Sequence, residues 1–154
     1  MIEWAKKVAE VFQEYNVAYL FIGKLGAILY GYPGTTQDMD IFPLKETLNC
    51  ERLVNALAAL GFDLDIPLRE AILRGKDFIQ IRGGPFPLDI IFGPDGIESF
   101  EEARRRGTWV SGLFSCASLE DIIESKRSAG RQRDKEELPR LILFKEMLHK
   151  ERGS

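Results

Sequence analysis

The stretch FIGKLGAILYGYPGTTQDMDIF, residues 21–42, decides how the chain is read. It opens at the end of an apolar run, Ala18 to Ile22, rich in strand formers and stopped by Gly23. Leu25 to Tyr30 reads as a short apolar helix closed by Gly31. Gly31-Tyr32-Pro33-Gly34-Thr35-Thr36 is a loop by its glycines and proline. Asp38 to Phe42 then reads as a strand, ended by Pro43. Side chains two apart on a strand share a face, so Asp38 and Asp40 are expected to project together. Adjacent carboxylates repel unless a cation lies between them. Oxygen ligands of this kind suit Mg²⁺, which binds a few carboxylates and keeps room for waters and phosphates. A lone D-x-D is a weak signal, because acids this close are common on exposed edges.

Downstream, Phe78 to Ile81 alternates as a strand, Gly83-Gly84-Pro85 marks a turn, and Leu88 to Phe92 follows as a second strand, which together predict a hairpin. Asp89 stands inside that second strand among Leu88, Ile90 and Ile91, an unusual place for an acid that serves only the surface. Helices are expected over residues 2–15, Leu48 to Leu60, Gly96 to Arg106 and from Ser118 to about Gly130. A last helix carries Leu138, Leu141, Ile142 and Phe144 to Leu148, and Pro139 either starts it or kinks it. Leu68 to Leu73 fits a strand or a helical turn, and Trp109 to Phe114 a final strand. The order of elements predicts an α+β fold, a small mixed β-sheet flanked by helices with C-terminal helices from about residue 118, in a single domain over 1–154.

Composition sets the outer bounds. The 154 residues are 45% hydrophobic and 29% charged, ordinary for a globular chain of this size. No apolar run approaches the roughly 20 residues of a membrane span. The N-terminal MIEWAKKVAEVF carries acids and an amphipathic period, unlike a secretory signal. Cys50 and Cys116 cannot build a disulfide scaffold, and a reducing cytoplasm is the expected compartment. His149 is the one histidine, which disfavours histidine-based zinc sites and triads. A net charge of −3 argues against a protein that coats DNA. Residues 1–100 hold 9 Lys/Arg against 14 Asp/Glu, and residues 101–154 hold 12 against 10, so acids dominate around the candidate site.

Taken together, residues 21–42 resemble the signature of minimal nucleotidyltransferases of the DNA polymerase β-like superfamily. That signature runs strand, Gly-Gly or Gly-Ser, short helix, threonine-bearing loop and D-x-D. Leu88-Asp89-Ile90-Ile91 resembles the family's third carboxylate strand. Ser118 to Asp134, SLEDIIESKRSAGRQRD, resembles the closing helix pair of bacterial members, including abortive-infection and toxin–antitoxin proteins. The likeness covers roughly residues 1–145.

The resemblance implies a site with two Mg²⁺ ions, bridged by Asp38 and Asp40, with Asp89 completing the one that activates an acceptor hydroxyl. It implies an NTP donor, ATP first among them, whose β- and γ-phosphates meet backbone N–H groups at Gly23, with pyrophosphate as the second product. The acceptor would be a protein side chain, a tRNA end or another RNA, or a small molecule. A chain this short leaves room for a partner protein to supply it. Thr35 and Thr36 would contact the nucleotide, and Lys126 and Arg131 match positions where relatives carry basic residues near it, with Asp134 ordering that pair. Turn threonines and helix-end cations are also commonplace structural features.

The sequence departs from the signature at Lys24, where relatives carry a second Gly or Ser. A lysine there serves either as a point-charge ligand for phosphate or as a cation on Asp38 or Asp40 that replaces the metal. The first outcome predicts an enzyme. The second predicts a catalytically degenerate binding or antitoxin-like module that keeps the fold. Arg104-Arg105-Arg106 reads as a solvated helix end, and Trp109 as a core residue.

Overall fold

The first helix of this computed structural model, which describes residues 1–152, is α1, Ile2–Glu14, with Ala5, Val8, Ala9 and Phe12 buried on one face. The next apolar run becomes β1, Tyr19–Ile22, every residue of it buried. Gly23 then turns the chain at φ +70° into the short helix α2, Gly23–Leu29. The loop that follows returns as β2, Met39–Pro43. Asp38 therefore stands one residue before the strand and not within it.

The middle of the chain holds α3, Thr47–Ala59, and α4, Ile66–Leu73. The segment that fitted either strand or helix is a helix. Asp65 caps it, its side chain accepting from the N–H of Leu68 at 2.9 Å, and Pro67 occupies its first turn. The predicted hairpin is present as β3, Phe78–Ile81, and β4, Leu88–Ile91.

Three boundaries differ from those expected. The helix anticipated from Gly96 begins only at Phe100 (α5, Phe100–Arg106), because Ser99 is the residue that caps it, accepting from the N–H of Glu102 at 3.2 Å. The single strand expected over Trp109 to Phe114 is two, β5, Thr108–Val110, and β6, Phe114–Cys116. Ser111 at φ 54° and Gly112 at φ 67° turn the chain between them. Trp109 is 65% exposed on the outer strand of that pair, so it is not a core residue. Helix α6, Leu119–Ala129, starts on the Ser118 cap and stops at Gly130 in the left-handed region. Helix α7, Gln132–Arg152, begins well before Pro139, which lies inside it.

The six strands form one mixed sheet in the order β3-β4-β2-β1-β6-β5. β1 runs antiparallel to β2 and parallel to β6, while β2 and β4 are parallel. Alternation divides the sheet into two apolar faces. Phe21, Met39, Ile41, Leu88 and Ile90 face one way and pack with apolar residues of α1, α3 and α4. Leu20, Ile22, Phe42 and the half-buried Ile91 face the other way, with Phe100, Ile122 and Leu141 from α5, α6 and α7. Buried Asn49 on α3 ties the sheet to its first layer of helices. It accepts from the Ala18 N–H at 2.7 Å and donates to the carbonyls of Ala18 and Leu44, both at 2.9 Å. On the opposite side Tyr30 donates to the Ala117 carbonyl at 2.8 Å and holds α2 against the entrance to α6. No helix among the described residues is long and apolar enough to cross a membrane.

Candidate active site

The register of the sheet assembles the acids. Ile22 of β1 lies opposite Asp40 of β2, Asp40 opposite Asp89 of β4, and Asp89 opposite Gln80 of β3. Directly opposed residues point to the same face, so Asp40 and Asp89 rise side by side from neighbouring parallel strands. Asp38 joins them from the loop end, with a side chain 44% exposed. Thr36 shapes that end, its hydroxyl accepting from the Asp38 N–H at 3.3 Å and lying 3.2 Å from the Asp38 carbonyl.

Gly23 makes room for this row. A Cβ at that position would fall 2.0 Å from Asp40 Oδ2, and the φ of +70° disfavours any side chain. The backbone of the strand–helix turn thus lies directly against one of the carboxylates.

The electrostatics of the row are tense. Burial, then the Asp89 charge and a hydrogen bond to Asp89 that needs a proton, raise the pKa of Asp40 well above the ordinary carboxylate range. Lys126 opposes that rise. Two carboxyls this close share a negative charge poorly, and a cation between them would relieve it.

Cations surround the row, and most are already paired. Arg82, at the end of β3, donates from Nη1 to Asp89 Oδ1 at 2.9 Å and lies 3.9 Å from Asp38 Oδ1. Lys24 Nζ lies 3.6 Å from Glu137 Oε1 on α7. It therefore forms neither the free ammonium nor the ion pair with Asp38 or Asp40 that the sequence left open. Lys126 and Arg131 converge on buried Asp134, at 3.6 Å and 2.7 Å. Burial pushes the Asp134 carboxyl up, but Arg131 and Lys126 outweigh it and hold the group below its usual range.

Two cavities open on either side of Asp40. One of about 480 Å³ is lined by Lys24, Thr35, Thr36, Arg82 and Arg133 together with the three aspartates. The other, of about 470 Å³, runs past Gly23, Phe78, Pro94 and Ser125. Asp40, Phe78, Ile91, Lys126 and Arg131 border both, so the two are halves of one groove between the β3–β4 end of the sheet and α6–α7.

No family model matches the sequence, and no curated protein matches it. Among solved structures, the fold matches a protein of Thermotoga maritima described as a putative nucleotidyltransferase. The TM-score is 0.60 over 92% of this chain and 91% of that one, at 15% sequence identity. The fold is nucleotidyltransferase-like.

Within this nucleotidyltransferase-like fold, all nine residues singled out from sequence border the groove: Asp38, Asp40, Asp89, Gly23, Lys24, Thr35, Thr36, Lys126 and Arg131. Their roles sort differently from expectation. Thr36 serves the loop's own hydrogen bonding, whereas Thr35 faces the groove exposed. Arg82, Arg133 and Glu137 went unremarked in the sequence. Arg82 was open to discovery there, since Phe78, Gln80 and Arg82 share one parity on the strand that pairs with Asp89.

Oxygen donors only, carboxylates on one sheet face, and the raised Asp40 all suit the chemistry of magnesium. Among the described residues, no group of three or more His, Cys, Asp or Glu side chains is arranged to hold a metal ion as it stands. Arg82 supplies positive charge to two of the three aspartates, 2.9 Å from Asp89 Oδ1 and 3.9 Å from Asp38 Oδ1.

Proposed function

We propose that the protein is a nucleotidyltransferase that moves an NMP from an NTP to a hydroxyl acceptor and releases pyrophosphate. The observation that carries this reading is the Asp40–Asp89 pair, set in register beside a glycine turn and flanked by a groove rich in cations. Asp40 and Asp89, with Asp38, would hold Mg²⁺. When bound, the metal would supply charge stabilisation to the phosphates and acidify the acceptor hydroxyl. Lys24, Thr35 and Arg133 line the half of the groove suited to a polyphosphate. In the transfer, the acceptor oxygen bonds to the α-phosphorus as the bond from that phosphorus to the bridging oxygen of pyrophosphate breaks. The hydroxyl proton passes to the Asp89 carboxylate, and the leaving electron pair stays on pyrophosphate.

Arg82 favours a second reading, a binding module that has lost catalysis. In that case the guanidinium is the permanent counter-ion of Asp89 and Asp38, the part the sequence had offered to Lys24.

Thermal melting with Mg²⁺ and a panel of α,β-methylene NTP analogues separates the two, with wild type beside Asp89→Asn. A ligand at 100 times its Kd adds about 2.7 kcal/mol, several degrees for a chain of this length. A metal-dependent shift in wild type that Asp89→Asn loses supports the enzyme. No shift with any nucleotide supports the module.

A further inference from the structure

Arg82 projects from the carboxylate face of the sheet at the open end of β3, and its side chain is 47% exposed. It is held there by charge: 2.9 Å from Asp89 Oδ1 and 3.9 Å from Asp38 Oδ1. A cation shared by those two carboxylates has to compete with the guanidinium, because two positive charges cannot use the same oxygens without a large repulsive cost. The same guanidinium borders the groove half that also carries Lys24, Thr35 and Arg133. Arginine presents a planar fork of donors that suits phosphate as well as carboxylate.

Resting on the nucleotidyltransferase reading above, we infer that Arg82 is an exchangeable counter-ion, seated on Asp89 in the empty protein and displaced onto the polyphosphate of an incoming nucleotide. The divalent cation then takes the carboxylate oxygens that Arg82 leaves. Metal and nucleotide are thereby coupled. Each binds weakly alone, and each improves the other by the same factor, as linkage requires. A long exposed side chain with two alternative anionic partners is the element that changes state.

The exchange of Arg82 between its two partners is tested without turnover. Mn²⁺ is titrated into wild type, Arg82→Gln and Arg82→Lys, with the free aquo-ion followed by electron paramagnetic resonance and no nucleotide present. Binding of an α,β-methylene triphosphate analogue is measured in parallel in EDTA. Removing the competing charge should tighten Mn²⁺ binding by Arg82→Gln about tenfold, the size of one charge-assisted hydrogen bond at a half-exposed site. The same variant should bind the metal-free analogue more weakly than wild type. Arg82→Lys keeps the charge, so it should hold Mn²⁺ affinity near the wild-type value and guard against a folding defect in the glutamine variant.

Equal Mn²⁺ affinity in wild type and Arg82→Gln, with both binding the metal, overturns the inference and leaves the nucleotidyltransferase reading in place. Failure of wild type and both variants to bind Mn²⁺, with the analogue or without it, removes that reading and the inference with it.

Discussion

Replacing Asp40 by asparagine should stabilise the metal-free protein, and should do so more at high pH than at low. Burial first, and then the neighbouring Asp89, move the pKa of Asp40 from 3.8 to about 8. The unfolded chain releases this proton near the ordinary carboxylate value, while the folded chain keeps it far longer. The group's contribution to stability is therefore complete below about pH 4 and is lost as pH climbs towards about 8. At pH 7 the gap from the unfolded value is roughly three pKa units at about 1.4 kcal/mol each, a ceiling of about 4 kcal/mol. The Asp40 side chain is half-buried and partly screened by water, so about 2 kcal/mol is the working figure. Asparagine keeps the shape and a donor for Asp89 while removing the charge.

At about 2–4 °C per kcal/mol for a chain this long, the variant should melt roughly 4–8 °C above wild type at pH 7. The assay is a series of calorimetric melts in EDTA from pH 4 to pH 8. The two proteins should converge at the acid end and separate above it. With Mg²⁺ and a nucleotide analogue, wild type should recover the difference and the variant should not. An Asp40→Asn protein that melts below wild type at pH 8 in EDTA would refute the reasoning. So would a difference that does not change with pH.

Three other changes test neighbouring parts of the structure. Gly23→Ala should cost about 2–3 kcal/mol in a denaturant titration, because its Cβ would meet Asp40 Oδ2 at 2.0 Å from a backbone at φ +70°. Asn49→Ala should cost about 2–4 kcal/mol by the same measurement, since it strands the Ala18 and Leu44 groups it satisfies. Lys24→Met should lower the melting temperature by a few degrees, because it strands the buried Glu137 Oε1 at a cost of about 1–3 kcal/mol. It should also weaken triphosphate binding, as read by calorimetric titration.

What could be read from sequence was what local chemistry dictates. The strand–glycine–helix passage from Tyr19 to Leu29, the hairpin of Phe78 to Ile91 and the Ser118 cap each declare themselves within a few residues. The misplacements were local too, and had local causes. Ser99, and not Gly96, supplies the cap that starts α5, and Ser111-Gly112 turns the chain between two short strands where one was expected. Trp109 reads from sequence as core, but its strand lies at the edge of the sheet, where little covers it.

The charges were harder to read because their partners come from distant parts of the chain. The sequence leaves Lys24 two destinations, a phosphate or the carboxylates of Asp38 and Asp40. The first turn of α2 instead carries it to α7, where it lies 3.6 Å from Glu137 Oε1, a buried oxygen with no hydrogen-bond partner among the described residues. The positive charge at the aspartates is brought instead by Arg82, from a strand whose pairing with β4 sets its reach. Around the groove, Lys24, Arg82, Lys126 and Arg131 thus each have a carboxylate partner. The pairs are unequal. Asp134 is buried and bonded by Arg131 at 2.7 Å, so that cluster braces α6 against α7. Lys24 and Arg82 are each held by a single carboxylate oxygen within 3.6 Å and are partly open to solvent, whereas Arg131 is anchored on buried Asp134. A polyphosphate entering the groove would therefore draw first on these two side chains, and the distribution of the remaining positive charge would decide whether the aspartates are left free for a metal.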